Sequence, residues 1–301
     1  MRETRDLVAL PTAAMRARRH PWALVGLWSW QTLIALGASW PAAALVRTTY
    51  GVGPRSDAPL WDAGAHALLD FLWHSDRGLA PVTAAAEMAL TIGAIAGLIP
   101  MAGAMFATAC RTLDNRAMGF MRSMVAALQA MPSLLFLLVT VVVAQAMVIG
   151  LGLLSGWAVD ALAHDGLGED RAQRMGLAVG LGFVLTASGL GVVHDLARAA
   201  VVRSRASGPR ALALGAQVFA RDPLPLWWSW AWRAFAAFAP VLAASAIATR
   251  IGGRGGGPLV GLAIIHQGVV AWRVACRASW LAKALRSVSP AGLHYADNSD
   301  R

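Results

Sequence analysis

The sequence is short of charge. Asp, Glu, Lys and Arg make up only 14% of its 301 residues, while 57% are hydrophobic. A soluble domain needs roughly 25% charged residues to cover its surface. A water-soluble globule is therefore excluded, and an outside made of lipid is what remains. Lysine is nearly absent: Lys283 is the only one, so arginine carries the positive charge. The two cysteines, Cys110 and Cys276, have no zinc-site spacing and read as small buried thiols in a reducing compartment. HExxH, GxSxG and paired CxxC motifs are all missing, which leaves no catalytic constellation. The glycine tract Gly252–Gly257 lacks the lysine and preceding strand of a phosphate-binding loop, and reads as a hairpin turn. No cleavable leader is expected, because the first apolar run exceeds the roughly 7–15 residues of a signal-peptide core.

Six apolar runs are long enough to cross a bilayer, for which about 20 residues suffice. They cover about 22–46, 84–109, 132–156, 175–193, 224–248 and 258–280. Backbone groups cannot stay unpaired in hydrocarbon, so each must be a helix. The expected fold is an all-α polytopic membrane helix bundle with six transmembrane helices. A single transmembrane domain fills 1–289, and 290–301 is a C-terminal tail.

The net charge of +10 does not point to nucleic acid. Its basic residues sit in short segments between apolar runs, where they set orientation. Of the 26 Lys and Arg residues, eighteen fall in the two terminal segments and in the loops after the second and fourth runs. Seven fall in the alternate loops, Arg233 lies inside a run, and Arg273 and Arg277, counted with the C-terminal segment, fall at the cytoplasmic end of the last run. This asymmetry predicts a bacterial cytoplasmic (inner) membrane protein with both termini cytoplasmic. Trp22, Trp40, Trp157, Trp227, Trp228 and Trp280 lie near run ends, as interfacial indoles do.

One unit recurs three times: a basic amphipathic segment, a proline, a span, an outer loop and a second span. The entry prolines are Pro21, Pro132 and Pro223, preceded by Met15–His20, Arg122–Met131 and Arg210–Asp222. Each preceding segment reads as a cytoplasmic surface helix that breaks before the chain dives in. Gly93/Gly97, Gly176/Gly180 and Gly257/Gly261 give the second spans small-xxx-small pairs, which suit close helix packing. These amphipathic-proline-span units, with Asp-Leu-Ala-Arg at Asp195–Arg198, resemble a bacterial group of six-helix membrane proteins of unknown function. The group includes the membrane domain attached to some glycerophosphodiester phosphodiesterases. The resemblance implies architecture only, because the catalytic domain of those enzymes has no counterpart here.

Polar groups inside spans are costly and must face protein or water. Glu87, Arg233, His266 and Gln267 are the candidates for an intramembrane polar site, with Glu87 and His266 in outer halves. Arg233 either snorkels to the headgroups or pairs with Asp195. Asp195 and Arg198, at i,i+3, suggest a helix-end clamp or a lipid-phosphate contact. In the first outer loop Asp62, His66, Asp70 and His74 recur every four residues. Two or three could meet one metal ion, but the wet face of an interfacial helix is the commoner reason for such spacing. No cofactor is implied.

The leading functional expectation is a non-enzymatic membrane component, acting as a scaffold or as a subunit beside a protein partner or a second copy. One alternative is a transporter or lipid-handling permease. Another is a metal-dependent membrane enzyme using the outer Asp/His cluster. The partners expected from charge are the bilayer and its anionic cytoplasmic headgroups.

Overall fold

The computed structural model describes residues 7–9, 20–51, 76–112, 118–162, 169–251 and 257–288. Among them the elements run β1 (Leu7–Ala9), α1 (Pro21–Tyr50), α2 (Asp76–Ala96), α3 (Leu98–Ala109), β2 (Cys110–Thr112), α4 (Phe120–Leu162), α5 (Glu169–Ser204), α6 (Gly208–Arg221), α7 (Pro223–Ile251) and α8 (Gly257–Ser287). The molecule is a helical bundle. Its two short strands form one antiparallel pair, with Val8 opposite Arg111.

Consecutive long helices pair: α1 with α2, α4 with α5, and α7 with α8. The α1–α2 pair is antiparallel, because Gly93 meets Ile34 while Gly97 meets Trp30. A Cβ on Gly93 would sit 2.8 Å from Ile34, so glycine is what permits the approach. The α7–α8 pair is antiparallel too, with Arg233 bonded to Ser279 and the Trp272 indole donating to the Ala236 carbonyl. By contrast, Gly176, Gly180, Gly257 and Gly261 face open space.

Four stretches are long and apolar enough to cross a membrane: Ala80–Ala109, Phe120–Val159, Gln173–Ser204 and Pro223–Ala248. The first joins α2 to α3 across Gly97. Pro100 has no N–H to offer the Ala96 carbonyl, and the ladder resumes where Met101 N–H bonds Gly97 O at 3.2 Å. Of the six expected runs, those in α1 and α8 lie outside this set. Ser29, Gln31 and Thr32 in α1, and His266, Gln267 and Arg273 in α8, lower the hydropathy of both helices.

Large apolar side chains such as Leu33, Leu153, Leu181 and Phe235 are exposed. The packed core lies instead where α3, α5 and α8 end and α4 begins, and there Leu98, Met105, Leu134, Leu196, Trp280 and Leu285 are fully buried. These are the arginine-bearing ends of the helices.

Two of the entry prolines behave differently from one another. The expected break before Pro223 is present: α6 ends at Arg221, Asp222 leaves the helical region at φ −135°, and α7 starts anew. The expected break before Pro132 is absent, because α4 runs through it without interruption. Ser123, Ala127, Leu134 and Leu137 are buried on one stripe on both sides of the proline. Packing along that stripe outweighs the one lost hydrogen bond. Of the first pre-proline segment, only His20 is among the described residues.

The amphipathic helix α6 folds back on α5 at Gly215. A Cβ there would lie 2.7 Å from the Ala197 backbone nitrogen and 2.9 Å from the Val193 carbonyl. Backbone cannot retreat as a side chain can. Gly215→Val is therefore expected to cost about 1–3 kcal/mol of stability, read as a lower Tm in detergent. Gly191→Ala, at a site with nothing within 4 Å, is expected to be neutral or stabilising.

Burial in this core pushes the Cys110 thiol up to about 11, with Arg205 and Arg203 pulling it partly back. The thiolate is the reacting form. Iodoacetamide at pH 8 is expected to modify the half-buried Cys276 first, and Cys110 only after unfolding. Mass spectrometry of the alkylated peptides checks this.

Candidate functional site

Asp195 stands on the face of α5 that also buries Val192, Leu196, Ala199 and Ala200. It is 2% exposed, and among the described residues it is the only buried acidic side chain. A lone carboxylate in that setting needs a partner. Helix α8 supplies two groups one turn apart. Arg277 donates through Nη1 to Oδ2 at 2.5 Å and through Nη2 to Oδ1 at 2.6 Å. The Trp280 indole donates to Oδ2 at 2.8 Å. This is a fork-on-fork pair, in which both carboxylate oxygens are engaged.

Arg198, one turn along α5, approaches Asp195 Oδ1 at 3.5 Å. Its Nη1 also lies 3.6 Å from the Met101 sulfur on α3. The cluster thus ties α3, α5 and α8 together. It is not fully satisfied, because the buried Arg198 Nε and His194 Nε2 have no hydrogen-bond partner among the described residues.

Beside the cluster lies a cavity of about 420 Å³ between α1, α2, α3 and α8. Its lining combines Arg198, Arg273, Arg277 and Gln31 with Leu27, Ile34, Leu90 and Leu138. A second cavity of about 250 Å³ shares Gln31, Arg273 and Arg277, and adds Arg233 and Trp230. Arg233 is held by Ser229, accepting through O and Oγ at 2.6 Å each, and by Ser279 Oγ at 3.2 Å. Its guanidinium also lies over the Trp232 ring, 4.6 Å from the centroid. Just beyond, burial and then the charges of Arg233 and Arg286 lower the Lys283 ammonium below its ordinary range. Four arginines therefore border two cavities with shared lining residues, and among the described residues Asp195 pairs with two of them, Arg277 and Arg198.

The residues singled out by sequence are dispersed. Asp195 and Arg198 do meet. Arg233 does not pair with Asp195, whose oxygens are taken by Arg277 and Trp280; serine oxygens serve Arg233 instead. Gln267 accepts from Thr32 at 3.2 Å, linking α8 to α1. His266 Nδ1 is 2.9 Å from the Leu262 carbonyl on its own helix. Glu87 is exposed on α2, and neither Glu87 nor His266 lines the two cavities. Asp62, His66, Asp70 and His74 lie outside the described residues. Among the described residues no three His, Cys, Asp or Glu side chains come together. Sequence reasoning overlooked Arg273, Arg277 and Trp280, having counted the arginines as loop charge and the tryptophan as an interfacial ring.

No family model, no curated protein and no solved structure matches this chain. The site therefore stands on its own chemistry.

Removing one partner of a buried ion pair strands the other, at a cost of about 3–5 kcal/mol. Asp195→Asn is expected to lose that much, seen as a lower Tm in detergent. The double variant Asp195→Asn/Arg277→Gln is expected to lose less than the two single losses combined. A strictly additive cycle would deny the pairing.

Proposed function

We propose that this chain is a non-enzymatic component of the bacterial cytoplasmic membrane that binds an anionic amphiphile, the lipid-handling reading of its sequence. The observation that carries this is the 420 Å³ cavity whose lining combines three arginines with aliphatic side chains. A headgroup with negative charge suits the first, and a hydrocarbon chain suits the second.

In this reading the chain crosses six times as three repeated helix hairpins, with cytoplasmic termini. The 30-residue α1 and 31-residue α8 support the count. Each would be about 45 Å long at 1.5 Å per residue, beyond the roughly 30 Å hydrocarbon core. The positive-inside asymmetry supports the orientation. The packed, arginine-bearing ends then face the cytoplasm, and the cavity opens in the inner leaflet.

Two measurements test this. In a Cys110→Ser/Cys276→Ser background, an impermeant maleimide added to spheroplasts is expected to label Asp62→Cys and to spare Asn115→Cys. The reverse pattern would invert the topology. Native mass spectrometry from mild detergent is expected to show retained anionic phospholipid in preference to phosphatidylcholine. Equal retention of both would remove the binding reading.

A further inference from the structure

The charge around the two cavities is unequal. Arg198, Arg233, Arg273 and Arg277 bring four positive charges, and Asp195 returns one. Arg277 is already committed to Asp195 through both of its terminal nitrogens. The Arg198 side chain is only 11% exposed, and its Nε has no acceptor among the described residues. Arg273 has neither a carboxylate nor a hydrogen-bond partner among the described residues, and it lines both cavities. A cavity lined by three guanidinium groups, of which Arg273 has no anionic partner among the described residues, has the chemistry to hold an anion.

We infer that the cavity takes the dianionic phosphomonoester headgroup of a membrane lipid, held between Arg198, Arg273 and Arg277 beside Gln31. The inference rests on the reading of this chain as a binder of anionic amphiphiles, and names the headgroup. A phosphodiester or a carboxylate carries one negative charge and leaves most of the surplus uncompensated. A phosphomonoester carries about −1.5 to −2 near neutral pH, with three acceptor oxygens. It matches the surplus more closely and offers oxygens to the Arg198 guanidinium and to the free fork of Arg273.

The remaining wall argues for a lipid over free phosphate. Leu27, Ile34, Leu90 and Leu138 offer an inorganic ion nothing. A water's share of the liquid is about 30 Å³, so 420 Å³ is far more than a bare phosphate fills. Leu90 lines the cavity and is also 56% exposed, and Ala35 and Ala94 are exposed as well. The cavity therefore opens sideways beside the α1–α2 pair, at a surface whose neighbours are apolar. An acyl chain can leave by that opening while its phosphate stays on the arginines.

The test uses the purified full chain with dioleoyl phosphatidic acid, dioleoyl phosphatidylglycerol, dioleoyl phosphatidylcholine and sodium phosphate as probes. Occupancy is read by native mass spectrometry, and Tm by fluorimetry. Phosphatidic acid is expected to bind at least tenfold more tightly than phosphatidylglycerol. That preference is expected to shrink below about pH 6, where the headgroup loses its second charge. Millimolar sodium phosphate is expected to leave Tm unchanged. Arg273→Ala is expected to reduce phosphatidic acid binding at least tenfold, and Arg250→Ala, at the far end of α7, is expected to leave it intact. Arg273→Gln keeps much of the side chain without its charge, and is expected to show the same loss at an unchanged ligand-free Tm.

Equal binding of phosphatidic acid and phosphatidylglycerol, both above phosphatidylcholine, would overturn the phosphomonoester and leave the broader reading standing. Binding of neither above phosphatidylcholine would overturn both. A Tm rise with sodium phosphate equal to that with phosphatidic acid would overturn the lipid as source. Unchanged phosphatidic acid binding in both Arg273 variants would overturn the site.

Discussion

A carboxylate buried at 2% exposure has few ways to exist, and Asp195 uses the strongest of them. Both oxygens accept from one guanidinium, and an indole N–H completes the set. The desolvation of two ions is repaid only by geometry of this quality. That requirement fixes where α8 lies against α5, because Arg277 and Trp280 must reach the same carboxylate from successive turns. Arg198 then carries the tie on to α3 through the Met101 sulfur. The remaining helices are arranged around this knot.

The knot does not cancel the charge it gathers. Of four arginines only Arg277 and Arg198 meet the carboxylate, and the surplus lies along two cavities that share Gln31, Arg273 and Arg277. Serine oxygens and the Trp232 face hold Arg233 without neutralising it. Hydrogen bonding to neutral groups settles the donors and leaves the electrostatic self-energy in place. Such an arrangement is stable only where water or an anion reaches the guanidinium groups. The arginine-bearing ends of the helices are where that contact is available.

Much of the architecture was legible from elementary patterns. Apolar run length located the long helices, and Gly93 and Gly97 announced the close α1–α2 approach that the structure contains. The i,i+3 spacing of Asp195 and Arg198 was readable as a clamp for the same reason. Its principal partner was not, since Arg277 is 82 residues away and a periodic pattern on one helix says nothing of which other helix faces it. The prolines teach a related lesson. Pro132 and Pro223 look alike locally, but the buried stripe from Ser123 to Leu137 continues in phase through the first. Before the second, α6 turns its small residues Gly208, Ala211 and Gly215 inward and doubles back. Tertiary packing decides which proline breaks a helix. The short pairing of Leu7–Ala9 with Cys110–Thr112 had no signal in its sequence either, because each strand is only three residues long.

The uneven packing of the molecule follows from its solvent. In hydrocarbon, apolar side chains gain little by leaving lipid for one another, so helix contact there depends on small residues and polar bonds. The α1–α2 approach at glycine, the Thr32–Gln267 bond and the Trp272–Ala236 bond are contacts of that kind. At the arginine-bearing ends water is near, and burial of apolar surface again favours packing. There the first turns of α4, the amphipathic α6 and the end of α8 close into a dense core. The large cavity lies at the seam between these two regimes, bordered by Leu98 and Leu281 of the core and by Leu90 on the exposed face of α2. A seam lined by both arginine and aliphatic side chains suits neither water alone nor lipid tails alone.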